Sequence, residues 1–270
     1  MTAERTVQAL APCGRAVDIA LRAPARPGAV VGGIVFSHGA NASPARYRVL
    51  LDHWAGAGFA VAAPLHLDSE EHPARLVDDP LRVRRTRLED FALCARLLCE
   101  GGGGLPPVRR HVAAGHSYGA LVAQVAGGAR LASGEGGCGP APACVIALSP
   151  PPPIPGVIDA QGWSACRAPM LCITGTADVL PGFVDDWRLH LASYEAVGQG
   201  FAAVFDGMDH YGNGAFGRLR PGHGDRDARI AALNAMVTAF ARAWTAGGPV
   251  AARDWAAQDL PGIRCFARPA

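Results

Sequence analysis

Six short, almost unbroken apolar runs recur along the chain: AVVGGIVFSHG (29–39), GFAVAAPLH (58–66), HVAAGHS (111–117), ACVIALSP (143–150), PMLCITGTAD (169–178) and FAAVFDG (201–207). A strand buried on one face alternates polar with apolar residues, whereas a continuous apolar run fits a strand buried on both. Longer stretches with helical spacing lie between the runs, at Tyr47–Trp54, Arg82–Leu98, Leu121 onward, Val184–Ala196 and Ala228–Trp244. In the last of these Ile230, Leu233, Ala235, Met236, Val237 and Phe240 repeat with a period near 3.6, the mark of a helix packed on a sheet. Strands alternating with helices predict an α/β fold, a mostly parallel central sheet with helices on both faces. The stretch RAVDIALRAP (15–24) alternates and is expected to pair antiparallel at an edge, and the tail 254–270 to fold back as a short helix and strand.

The chain has 270 residues, half of them apolar, enough for one well-filled core, and it carries no internal repeat or linker-like boundary. A single domain over 1–270 is therefore expected. The net charge of +2 is spread over scattered side chains, without the basic stripe that neutralising a phosphate backbone requires, so nucleic acid is not an expected partner. Glu4 and the lack of an apolar core near the N-terminus do not fit a secretory signal, and no window approaches 18 apolar residues. The expectation is a cytoplasmic protein without a membrane span. Eight cysteines show no metal-ligand spacing and are read as reduced structural thiols; no metal or cofactor is expected. Two stretches, 134–143 and the proline-rich 149–156, are loops by composition, and the second is placed at the rim of the ligand crevice.

The segment Gly115-His116-Ser117-Tyr118-Gly119 sits between an apolar run and a helical pattern. A glycine-flanked serine in that context matches a nucleophile elbow, where small neighbours let a serine be held on a sharp strand-to-helix turn. A serine hydroxyl is a weak nucleophile, so it needs a histidine base and an orienting carboxylate, in the chain order Ser, acid, His. Asp178, at the end of an apolar run, and His210, in the glycine-flanked DGMDHYGNG, fill those places. The competing acids Asp185 and Asp186 fall within a helical pattern, His223 competes with His210 from the same loop, and Asp206 and Asp209 are candidates to brace it. For the oxyanion hole the amide of Tyr118 follows the serine, and the turn His38-Gly39-Ala40 offers a second donor, Ala40 or alternatively Gly39. His38 is read as a brace of that turn, His66 as ending a strand on the crevice side, and Tyr211 as beside the base; all three are candidates for shaping the pocket. His53, His72, His111 and His190 have no visible partner.

With FSHGANASPARYRVLLDHWAGAGFAVAAPLH, GHSYGA and ITGTAD, nearly the whole chain resembles serine hydrolases of the α/β-hydrolase superfamily. More narrowly it is similar to the dienelactone-hydrolase-like and platelet-activating-factor-acetylhydrolase-like esterases. Dienelactone hydrolases proper carry cysteine at the position of Ser117. The resemblance implies hydrolysis of small to medium acyl esters through an acyl-enzyme on Ser117, with Asp178 and His210 completing a catalytic triad and no cofactor. The short stretch between Pro150 and Pro169 leaves room for only a minimal lid. Thioesterases, amidases and acyltransferases use the same triad, and a silent hydrolase scaffold that binds a partner is the remaining alternative.

Overall fold

The computed structural model describes residues 3–24, 30–137, 139–247 and 261–268. Nine strands form one sheet: β1 (Ala3–Leu10), β2 (Ala16–Ala23), β3 (Gly32–Ser37), β4 (Phe59–Pro64), β5 (His111–His116), β6 (Cys144–Leu148), β7 (Met170–Ala177), β8 (Gly200–Asp209) and β9 (Ile263–Arg268). Their order across the sheet is β1-β2-β4-β3-β5-β6-β7-β8-β9. The six from β4 to β8 pair in parallel, and β1, β2 and β9 join antiparallel. Each of the six apolar runs is a parallel strand.

The two-residue period of these strands feeds two cores. Ile34, Phe36, Val112, Ala114, Leu171 and Ile173 face one side, where α1 (Arg48–Gly56) and α6 (Arg226–Arg242) bring Leu50, Trp54, Leu233, Val237 and Phe240. Val35, Ala113, Val145 and Met170 face the other, against Phe91, Cys94 and Leu98 of α2 (Pro80–Glu100) and Leu121 and Val125 of α3 (Tyr118–Ala126). Each fully buried Leu, Val or Phe contributes about 1.5–3 kcal/mol. The long α2 is held at both ends: Asp79 accepts from the Arg82 amide behind Pro80, and Gly101 at φ 82 closes it in the left-handed region.

Three expectations are modified. The strand at 15–24 is β2, and it is not the edge, because β1 pairs outside it. The polar content of β1 (Glu4, Arg5, Thr6, Gln8) hides it from a search for apolar runs and suits an edge that must not pair further. The helical pattern 184–196 is broken into a 3-10 turn, Trp187–Leu191, and the short α5 (Ala192–Ala196), since Asp186 caps a turn at Arg188 rather than continuing a helix. On α6 Ala235 is exposed and Asn234 takes a buried place, its Nδ2 donating to the Val49 carbonyl at 3.2 Å. The strand of the tail is β9; its expected helix falls on residues outside the described ones.

The carboxyl ends of the parallel strands deliver His38 after β3, His66 beyond β4, Ser117 after β5, Asp178 after β7 and His210 after β8 to one edge of the sheet. In open α/β sheets that edge is where ligands bind. No described helix is long and apolar enough to cross a membrane.

Candidate active site

Ser117 links β5 to α3 at φ 54 and ψ −119, a backbone conformation that costs a non-glycine residue about 1–3 kcal/mol. Its two flanking glycines make that turn possible. A Cβ on Gly115 would lie 2.1 Å from the Gly119 carbonyl oxygen, and one on Gly119 would lie 1.9 Å from the Ser37 carbonyl oxygen. Strands β3 and β5 and the start of α3 therefore touch only because both positions lack a side chain. The Ser117 amide donates to the Leu148 carbonyl at 2.9 Å, which pins the elbow to β6.

Ser117 opens onto a cavity of about 240 Å³ whose walls include Ala40, Leu180, Phe183, His210 and Tyr211. His210, 3% exposed, donates from Nδ1 to Asp178 Oδ1 at 2.7 Å, leaving Nε2 as the basic nitrogen. No hydrogen bond joins Ser117 to His210 among the described residues; such contacts often tighten only when substrate binds. Asp178 is sealed from solvent, and its Oδ2 accepts from the Thr174 hydroxyl at 2.8 Å. Burial pushes its carboxyl up, but the close contact with His190, the hydrogen bond from His210 and the charge of both outweigh this and hold it below the ordinary carboxylate range. His223 stands apart, largely exposed, 3.3 Å from Asp209. Asp185 and Asp186 cap exposed turns, and Asp209 braces the His210 loop by accepting from the Tyr211 and Asn213 amides.

His190, which showed no partner in the sequence, is a second histidine on Asp178. Its Nδ1 donates to the Pro150 carbonyl, and its Nε2 lies 2.9 Å from Asp178 Oδ1 in an ion-pair contact whose angle falls short of a hydrogen bond. Burial lowers its affinity for a proton, yet Asp178 and the Pro150 carbonyl raise it above the ordinary histidine value. The proline-rich loop thus serves as the anchor of His190, and it does not line the cavity. Asp178, His190 and His210 keep their ligand atoms within 4.8 Å of one another, so among the described residues they form a group that could hold a metal ion.

The two candidate oxyanion donors separate cleanly. The Gly39 amide is spent on the Tyr47 hydroxyl at 3.1 Å; that hydroxyl donates onward to His116 Nδ1 at 2.8 Å, and His116 Nε2 donates to the His210 carbonyl at 2.8 Å. His116, in the variable position of the elbow, is thereby the strut between the Gly39 loop and the base loop, kept neutral by burial, which lowers its pKa to about 3. The Ala40 and Tyr118 amides have no hydrogen-bond partner among the described residues, and Ala40 lines the cavity.

Two pocket assignments are corrected. His38 and His66 are fully buried under the Gly39 loop and do not line the cavity, while Tyr211 does. His38 Nδ1 donates to the Gly39 carbonyl at 2.8 Å and its Nε2 accepts from the His66 amide at 3.1 Å, which makes it a loop brace. His66 bridges Ser37 Oγ at 2.8 Å and Asp90 Oδ2 at 2.9 Å. Arg87, Asp90, Tyr47 and Thr174 went unnoticed in the sequence. Arg87 and Asp90 carried a signal, as polar residues on the α2 stripe that buries Phe91, Cys94 and Leu98.

No family model matches the chain and no curated protein matches it significantly. Solved structures do. A dienelactone hydrolase from Anabaena variabilis superposes with a TM-score of 0.61 at 18% identity, over 88% of this chain and 95% of that one. The esterase domain of a Rhodothermus marinus protein gives 0.60 at 15% identity over 90% and 100%, and an esterase of Pyrococcus furiosus gives 0.61 at 14% over 90% and 93%. The chain has the α/β-hydrolase fold. Within this fold the connection from β6 to β7 carries only the five-residue α4 (Ala160–Ser164), and the cavity walls include Leu180 and Phe183 after β7 and Tyr211 after β8.

Proposed function

We propose that the protein is a cytoplasmic, single-domain serine hydrolase that cleaves carboxylic esters of small acids through an acyl-enzyme. The observation that carries this reading is one cavity lined by a strained elbow serine, an imidazole backed by a buried carboxylate, and Ala40, whose amide, like that of Tyr118 next to the serine, has no partner among the described residues. Seven unpaired cysteines among the described residues favour a reducing compartment.

In this mechanism Ser117 Oγ attacks the ester carbonyl while His210 Nε2 takes its proton. The carbonyl oxygen becomes an oxyanion and accepts hydrogen bonds from the Ala40 and Tyr118 amides, with the N-terminal end of α3 adding favourable dipole. His210 then protonates the leaving alcohol, and the acyl group stays on Ser117. Water enters, His210 removes its proton, and a second tetrahedral intermediate collapses to acid and free enzyme. Asp178 holds the Nδ1–H tautomer throughout and stabilises the imidazolium. The cavity of about 240 Å³ is below the usual range for drug-sized ligands, which favours short acyl chains.

A panel of p-nitrophenyl esters of rising chain length, run beside thioesters and anilides, tests the reading. Turnover falling from acetate and butyrate toward longer chains is expected; amide or thioester turnover without ester turnover would refute it.

A further inference from the structure

The oxyanion donors are backbone amides, and no side chain in the cavity wall fixes the peptides that carry them. Arg87, on α2, lies behind the loop with no solvent exposure and cannot touch a substrate in the cavity. Its guanidinium donates from Nη1 to the His38 carbonyl at 2.7 Å and from Nη2 to the Gly39 carbonyl at 3.1 Å. In a planar trans peptide the carbonyl and the following N–H point in opposite directions. Holding the Gly39 oxygen toward α2 therefore turns the Ala40 N–H away from α2, toward the cavity. Holding the His38 oxygen the same way turns the Gly39 N–H onto Tyr47, where it is observed.

The fork itself is held. Asp68 accepts from Arg87 Nε at 2.9 Å and from Nη2 at 2.8 Å, and its Oδ2 accepts from the Asn41 amide at 3.3 Å, closing the loop on its far side. Despite burial, the pairing with Arg87 keeps the Asp68 carboxyl below its ordinary range, so the pair is ionic. On the opposite flank the Arg87 Cζ lies 4.6 Å from the centroid of the Tyr118 ring, and Tyr118 bears the second amide. One guanidinium thus contacts both halves of the oxyanion hole from behind.

We propose that Arg87 is a positioning residue that sets the orientation of the two oxyanion donors, the Ala40 amide through the Gly39 carbonyl and the Tyr118 amide through the Tyr118 ring. The inference rests on the ester-hydrolase reading. A lysine keeps the charge but cannot span two carbonyls and a carboxylate in one plane. Donors aimed at the oxyanion stabilise the transition state more than the bound ester, so misaiming them lowers kcat and leaves KM nearly unchanged.

The test is Arg87→Lys assayed with p-nitrophenyl acetate and a trifluoromethyl ketone inhibitor. The expected result is a folded protein with kcat lowered about 10²-fold, KM within about threefold, and ketone affinity weakened in parallel with kcat/KM. Wild-type kcat, or a loss confined to KM, would overturn the proposal. Should Arg87→Lys not fold, Tyr118→Leu keeps the Arg87–Asp68 pair and removes only the ring; kcat about 3–10-fold lower at constant KM is expected, and unchanged kcat would overturn it. Ser117→Ala, run alongside, separates the two readings. Turnover lost in Ser117→Ala but full in Arg87→Lys refutes the role of Arg87 alone, and turnover surviving in Ser117→Ala refutes the hydrolase reading beneath it.

Discussion

Two serine–histidine–aspartate sets occur among the described residues at the same edge of the sheet, and by hydrogen bonding alone the one not proposed as the site is the better formed. In Ser37–His66–Asp90 the hydroxyl is 2.8 Å from the imidazole, which is 2.9 Å from the carboxylate. In Ser117–His210–Asp178 only the histidine–carboxylate half is closed, at 2.7 Å. What distinguishes them is their surroundings. Ser37, His66 and Asp90 are fully buried, Ser37 sits in a regular strand and accepts from Arg87 at 3.4 Å, and burial lifts the Asp90 carboxyl to about 6. Ser117 stands on a strained elbow facing a cavity, beside two unpaired amides and a carboxylate held ionised. A triad is a site only where a reacting atom can arrive and a developing charge can be met; the sealed set is a clamp beneath the loop that carries Ala40.

That contrast is breakable. Ser117→Ala is expected to lower kcat by at least about 10⁴-fold, whereas Ser37→Ala changes it less than about tenfold; steady-state assays on both variants decide it. Asp178→Asn, which leaves His210 facing an amide, is expected to cost about 10⁴ in kcat. Asp90→Asn should instead appear in urea unfolding, as a loss of about 1–3 kcal/mol from a buried network with kcat little altered.

The buried histidines make the clamp acid-sensitive. Burial foremost lowers the proton affinity of His38 and His66 well below the ordinary value, and that of His116 to about 3. The unfolded chain then binds more protons than the folded one, so stability falls as pH drops below about 6.5, by up to about 1.4 kcal/mol per pH unit for each histidine. Asp90, raised to about 6, works the other way between about 4 and 6 and offsets part of the slope. Urea midpoints at pH 7, 6 and 5 should decline, and His66→Gln should flatten the decline. The smallest expected effect is at His190: His190→Gln removes an imidazole whose proton affinity Asp178 raises, so kcat/KM should change by less than about threefold, and more at acid than at neutral pH.

The parallel sheet was legible because strands buried on both faces leave unbroken apolar runs, and β1 was not, because an edge strand needs polar residues instead. Ser117, Asp178 and His210 were legible by their order and their places at run ends. The supports around them were not: Tyr47 reaches Gly39 and His116, and His190 reaches Asp178 and Pro150, through tertiary packing that leaves no spacing in the chain. The pocket reading of His66 failed for a physical reason, since a residue at a strand end can point under a loop as readily as into the crevice.

Labelling with a fluorophosphonate, followed by peptide mapping, most directly separates the two sets. A single adduct on Ser117 is expected, absent in Ser117→Ala and undiminished in Ser37→Ala; an adduct on Ser37, or equal labelling of folded Ser117→Ala, would contradict the assignment of Ser117 as nucleophile.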